Sequence, residues 1–137
     1  LHDLPHRHPP PGAANKCPVI ERKINLVLGG IRAYLVSASL PICFWPFAGE
    51  CYTFNENLRP RPNGEGETVI PYTEATKEKF TGTQFVLGQL VFYKPAPTII
   101  KLPKVGDRLR PGVFMKYYTC GGKWNKQYVI ADLEDFC

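Results

Sequence analysis

The chain reads as an α+β domain, with one helix packed on a twisted antiparallel β-sheet and disulfides holding the parts together. Three observations predict this. Apolar residues recur at helical spacing over 20–35, strand-like runs bounded by glycine and proline fill the second half, and five cysteines are spread over 137 residues. That length suits a single domain small enough to gain from covalent cross-links.

Residues 1–16 hold all three histidines (His2, His6, His8), four prolines and few large apolar side chains, and read as a flexible tail. The folded body is then 17–137. Ile20, Ile24, Val27, Leu28, Ile31 and Leu35 form one apolar stripe, and Pro18 suits the first helical position. Gly29-Gly30 offers a competing hairpin turn, and each glycine costs a helix about 1 kcal/mol relative to alanine. The stripe keeps its phase through both, so a helix is expected. Residues 39–68 are turn-rich, and the aromatics Phe44, Trp45, Phe47, Tyr52 and Phe54 suggest short strands or a packed loop. The stretch from Arg59 to Glu67 reads as an exposed loop turning at Asn63-Gly64.

Further on, Phe85-Val86-Leu87 and Leu90-Val91-Phe92-Tyr93 read as one central strand interrupted by Gly88. Residues 98–102 suggest another strand. Val113 to Cys120 and Gln127 to Leu133 are strong strands, joined by a GGKWN hairpin turn.

The cysteines stand at 17, 43, 51, 120 and 137, with no Cys-x-x-Cys pair, which disfavours a zinc site or a thioredoxin-like motif. Structural disulfides and one leftover thiol are expected, in an oxidising compartment. Cys43 and Cys51 are placed to clip the aromatic loop, and either of them with Cys120 is the alternative. The chain begins at Leu1 without a methionine or an apolar leader, and is read as a mature secreted product. No apolar run is long enough for membrane insertion, and no N-glycosylation sequon occurs.

Chemistry is constrained by the body's lack of histidine. Histidine is the usual acid or base near neutrality, so nucleophilic triads and most metal-assisted hydrolysis lose their central residue. Glu50, Glu56, Glu65, Glu67, Glu74 and Glu78 fall in loops or a charged stretch with no defensible opposition, so a carboxylate-based hydrolase is the weaker alternative. No catalytic residue, metal or cofactor is expected. Charge points elsewhere. From Lys94 to Lys126 eight basic residues face the single acid Asp107, with Tyr93, Tyr117, Tyr118, Trp124 and Tyr128 interleaved. Cations beside aromatics suit RNA, and a basic face also suits an acidic protein. Lys101, Lys104, Arg108, Arg110, Lys116, Lys123 and Trp124 are the expected contacts.

Three segments carry a resemblance: KCPVIERKINLVLGGIRAYL, FVLGQLVFYKPA and RPGVFMKYYTCGGKWNKQYVIADLEDFC. Their layout resembles the fungal secreted ribonucleases, a family of guanyl-specific ribonucleases, ribotoxins and non-catalytic ribonuclease-like effectors of plant-pathogenic fungi. The resemblance implies a bridge between Cys17 and Cys137. It also implies a carboxylate base, a phosphate-steadying arginine and a histidine acid. Gln89 stands near the base's place, Phe114-Met115-Lys116 near the arginine's, and Val129-Ile130-Ala131-Asp132 near the histidine's. The expectation is a secreted, monomeric pseudo-ribonuclease effector that binds a host protein, an immune receptor or RNA. A disulfide-stapled inhibitor or surface protein of unrelated fold is a further alternative.

Overall fold

The computed structural model describes residues 17–106 and 108–136. The expected tail, Asp107 and Cys137 lie outside the described residues. The chain is mixed helix and antiparallel sheet, in agreement with the predicted class.

Helix α1 spans Pro18–Ala38 and runs unbroken through Gly29-Gly30. Pro18 opens it, and Glu21 in the first turn complements the exposed amide dipoles. At its end Ser39 takes a left-handed conformation with φ 54°. The amide of Leu40 then donates to the Leu35 carbonyl at 3.0 Å and that of Ser39 to Val36 at 3.1 Å, the pairing of a Schellman stop.

A second helix, α2 (Trp45–Asn57), replaces the expected strands or loop. Pro46 falls in the first turn, where its missing N–H is not needed. Phe47, Ala48, Cys51, Phe54 and Leu58 then recur at helical spacing, with Ala48 and Cys51 fully buried. The two helices meet where a glycine of each faces a large side chain of the other. The ring of Tyr52 lies directly over Gly30, and Gly49 faces the Ile31 side chain. Gly29, by contrast, faces open space. Gly29→Ala is therefore expected to raise stability by up to about 1 kcal/mol through helix propensity alone. Gly30→Ala forces the Tyr52 ring aside and is expected to lower stability by about 1–3 kcal/mol. Thermal melts of the two variants check the contrast, and shifts of the same sign would contradict this packing.

A short hairpin follows, β1 (Arg61–Pro62) pairing with β2 (Thr68–Val69). Its turn lies where Asn63-Gly64 predicts it, and the Asn63 carboxamide oxygen accepts from the amides of Glu65 and Glu67. Helix α3 (Pro71–Thr76) ends at Lys77, and irregular chain then leads to the main sheet.

That sheet has the order β3-β4-β5, all antiparallel: β3 (Leu90–Tyr93), β4 (Arg110–Cys120) and β5 (Lys123–Asp132). The central strand is β4, whereas the sequence points to 85–93. Gly88 sits at φ 82° and packs against Ala38, so the chain bends there and the regular strand begins at Leu90; β3 pairs with β4 alone and is an edge. Residues 98–102 form no strand; the amides of Ile99 and Ile100 both donate to the Ala96 carbonyl in a turn. The β4–β5 hairpin closes on Gly121-Gly122, both at positive φ, so the expected five-residue turn shrinks to two. A bulge at Met115 lets Phe114 and Met115 both bury, and brings Phe114 and Tyr117 into ring contact at 5.0 Å.

It is α2 that lies against the sheet, with Phe54 stacked on Tyr117 at 4.2 Å, while α1 packs on α2 and sends Leu35 into the same core. The single expected helix is thus a pair. Tyrosine hydroxyls tie the irregular segment 77–89 to the sheet. Tyr117 accepts from the Phe85 amide at 2.7 Å and donates to Asn55 Oδ1 at 2.8 Å, and Tyr128 accepts from the Thr83 amide at 2.9 Å.

The expected disulfides are not formed among the described residues. Cys17, Cys43, Cys51 and Cys120 are free thiols. Cys51 points into the core from α2 while Cys43 is exposed in the 3-10 turn before it, so the Cys43–Cys51 clip is replaced by a buried thiol. Cys17 is unbonded at the start of α1, and Cys137 lies outside the described residues.

Candidate binding surface

The sequence points to cations and aromatics between Lys94 and Lys126, and the structure divides the seven expected contacts among them into two groups. Four of the seven expected contacts have structural partners. Arg110, on β4, pairs through Nε with Asp132 at 2.9 Å and through Nη2 with Glu134 at 2.9 Å. Lys116 pairs with Glu50 of α2 at 2.7 Å and lies 5.8 Å from the centre of the Phe47 ring. Lys123 pairs with Glu78 at 2.5 Å. The Trp124 ring is half-buried, packed against Phe80 and Tyr128, and its indole N–H donates to the Gln127 carbonyl. These four residues join helix, loop and sheet. The Lys123–Glu78 pair lies exposed at the surface, whereas Arg110 and Lys116 are half-buried.

The remaining three, Lys101, Lys104 and Arg108, lie on the exposed loop 94–109 between β3 and β4. Lys94 joins them. None of the four has an acidic partner among the described residues. The loop is not unanchored: Pro95 is buried, Ala96 carries the turn, and Arg108 donates to the Lys104 carbonyl at 2.7 Å. Between the cations stand apolar side chains with little cover, Ile99 at 79%, Val105 at 89% and Leu109 at 56% exposure. Sequence reasoning finds the cations by their run, but overlooks the exposed aliphatics among them.

Beneath the loop is an open cleft of about 700 Å³, lined by Ile99, Ile100, Tyr93, Arg110 and Asp132. The Tyr93 hydroxyl donates to Asp132 Oδ2 at 2.5 Å, and the Glu134 amide donates to Oδ1 at 3.0 Å. These bonds, the tyrosine's first, hold the Asp132 carboxyl below its usual range, with Arg110 adding to them. The same bond to Asp132 pushes the Tyr93 phenol up. Asp132 is therefore a fixed anion with its oxygens engaged, poorly suited to take a proton near neutrality. Gln89, exposed beside β3, turns its Oε1 to the Val86 amide at 3.3 Å. Phe114 and Met115 are buried.

No described group of histidine, cysteine and acidic residues could hold a metal ion, and no described helix is long and apolar enough to cross a membrane. The chain matches no protein-family model, no curated protein and no solved structure.

Proposed function

We propose that the protein is a non-catalytic binding protein of the ribonuclease-like effector kind, and that loop 94–109 docks on an acidic surface of another protein. The loop's composition carries this proposal. Lys94, Lys101, Lys104 and Arg108 are exposed and have no acidic partner among the described residues, and Ile99, Val105 and Leu109 stand bare beside them. Cations steer an acidic partner and exposed aliphatics give the contact an apolar centre. Single-stranded RNA calls for aromatic platforms instead. The loop has none, and of the interleaved aromatics only Tyr118 is exposed, while Tyr93, Tyr117, Trp124 and Tyr128 are built into the fold.

Support for the ribonuclease-like plan is the order of parts: a long helix directly after Cys17, then an antiparallel sheet closed by the β4–β5 hairpin near the C-terminus. Helix α2 is an addition to the expected layout. The non-catalytic reading draws on Gln89 in place of a carboxylate, and on Phe114 and Met115 buried where an arginine is expected. In the setting that the resemblance implies, a plant-pathogenic fungus secretes the protein and the partner is a host protein or immune receptor.

The test compares an acidic leucine-containing peptide with a single-stranded RNA oligonucleotide. Peptide binding that weakens with salt, and falls by about tenfold or more when Lys101, Lys104 and Arg108 are all changed to Glu, is the expected result. Thermal stability should be unchanged, because the three side chains make no ion pair with described residues. Tight RNA binding with no peptide binding would overturn the choice of partner.

A further inference from the structure

A second cationic site lies away from the loop, between the N-terminal half of α1 and the C-terminal half of α2. Here a cleft of about 330 Å³ is walled by Arg22, Lys23, Leu26 and Val27 of α1, by Tyr52 and Glu56 of α2, and by Arg61 of β1. That volume is at the lower end of what small-molecule sites enclose. The sequence conceals the site, because its cations come from positions nearly forty residues apart.

The floor is built and apolar. Gly30 gives the Tyr52 ring room to lie on α1, and Tyr34 holds that ring edge-on at 5.5 Å and 89°. Leu26 is 61% exposed beside it. The Tyr52 hydroxyl has no hydrogen-bond partner among the described residues.

The rim carries an excess of positive charge. Glu56 is the only acid in the cleft wall among the described residues, and both its oxygens are engaged, Oε1 by Arg59 at 3.0 Å and Oε2 by Arg61 at 3.2 Å. Arg61 also donates to the Glu56 backbone carbonyl at 3.3 Å, which fixes its guanidinium at the edge of the cleft. Arg22 and Lys23 have no acidic partner among the described residues. Two guanidinium forks and one ammonium over an apolar, aromatic floor suit a compact dianion attached to a flat ring. A lone carboxylate would leave the rim's charge excess, and a ringless anion would leave the floor bare.

We infer that this cleft binds an aromatic phosphate monoester, with the phosphate held by Arg22, Lys23 and Arg61 and the ring lying against Tyr52 and Leu26. The site is separate from loop 94–109 and does not depend on its role.

Amide NMR titrations of the full chain test the inference, with phenyl phosphate, phenol, inorganic phosphate and adenosine monophosphate as probes. Phenyl phosphate is expected to shift the amides of Leu26, Tyr52 and Arg61. Phenol and inorganic phosphate, each carrying half of the recognised chemistry, should bind at least about tenfold more weakly. Arg22→Glu with Lys23→Glu, two exposed positions whose change spares the core, should weaken phenyl phosphate by about tenfold or more. Lys101→Glu with Lys104→Glu should leave it unchanged, which separates this site from the proposed docking loop. Adenosine monophosphate binding more tightly than phenyl phosphate identifies a nucleotide as the ligand, and weaker binding identifies a smaller aryl ester. No shift in the cleft, a shift that survives the double charge reversal, or inorganic phosphate binding as tightly as phenyl phosphate would overturn the inference.

Discussion

Phe114→Ala should destabilise the protein by about 3–5 kcal/mol, the largest effect expected of any single truncation. Phe114 is fully buried at the centre of β4, and its ring meets Phe85 at 5.2 Å, Tyr117 at 5.0 Å and Tyr128 at 5.9 Å. Those three come from the irregular segment and from two strands, so the ring is the point at which loop and sheet share one core. Its backbone reinforces this, accepting from the Gly88 amide and donating to the Gln89 carbonyl, both at 2.9 Å. Relaxation into the gap is opposed on each side, by the bulge at Met115 and by the tyrosine bonds to Phe85. The loss should therefore include most of a cavity penalty as well as the transfer term. Phe92, on edge strand β3 and 67% exposed, is the control, and Phe92→Ala should stay within about 1 kcal/mol. Urea midpoints of the two variants decide it. Similar shifts for both would mean that Phe114 is not the organising residue of this core.

How far the sequence discloses this architecture depends on whether the deciding contacts are local. Helix α1 is legible because its stripe holds phase from Ile20 to Leu35, and two glycines do not outweigh it. Helix α2 is not, because Pro46 and Gly49 look like breakers among aromatics that suit strands equally well. Proline is harmless in a first helical turn, and Gly49 is where Ile31 approaches, a fact that only the neighbouring helix supplies. The hairpin strands β4 and β5 are legible from their β-branched and aromatic runs. The full break in the run 85–93 is not, because it turns on Gly88 meeting Ala38 from α1, fifty residues earlier. The same limit applies to the surface. A run of cations is visible along the chain, but Glu50, Glu78, Asp132 and Glu134 become partners of Lys116, Lys123 and Arg110 only after folding. Which cations of the run lack acidic partners among the described residues is therefore not identified by any count along the sequence.

The second large effect concerns alkaline pH, where the core's own acids should destabilise the protein. Cys51 is fully buried on α2, and burial pushes its thiol from an ordinary 9.0 up to about 12. Tyr117 is almost wholly buried, and burial pushes its phenol from 10.0 up to about 12, against a smaller opposing effect of its bond to Phe85. Asn55 links the two, accepting from the Tyr117 hydroxyl and donating toward the Cys51 sulfur at 3.7 Å. Each group is neutral when protonated, and the folded state holds the proton more tightly than the unfolded chain does. Their contribution to stability is therefore complete below the unfolded values, and is lost as pH rises from about 9 toward about 12. For two buried groups the combined loss is on the order of a few kcal/mol, enough to matter against a total of roughly 5–15 kcal/mol. Urea midpoints should be level through neutral pH and then fall steeply across that window, with tyrosinate absorbance rising as the fold is lost. Tyr117→Phe separates the titration from the packing. It keeps the ring on Phe54 but leaves the Phe85 amide without its acceptor, so it should lower stability at neutral pH by about 1–3 kcal/mol. It should also flatten the upper part of the alkaline fall, because one of the two acids is gone. A wild-type stability that stays level up to about pH 12 would show that these groups ionise without opposing the fold.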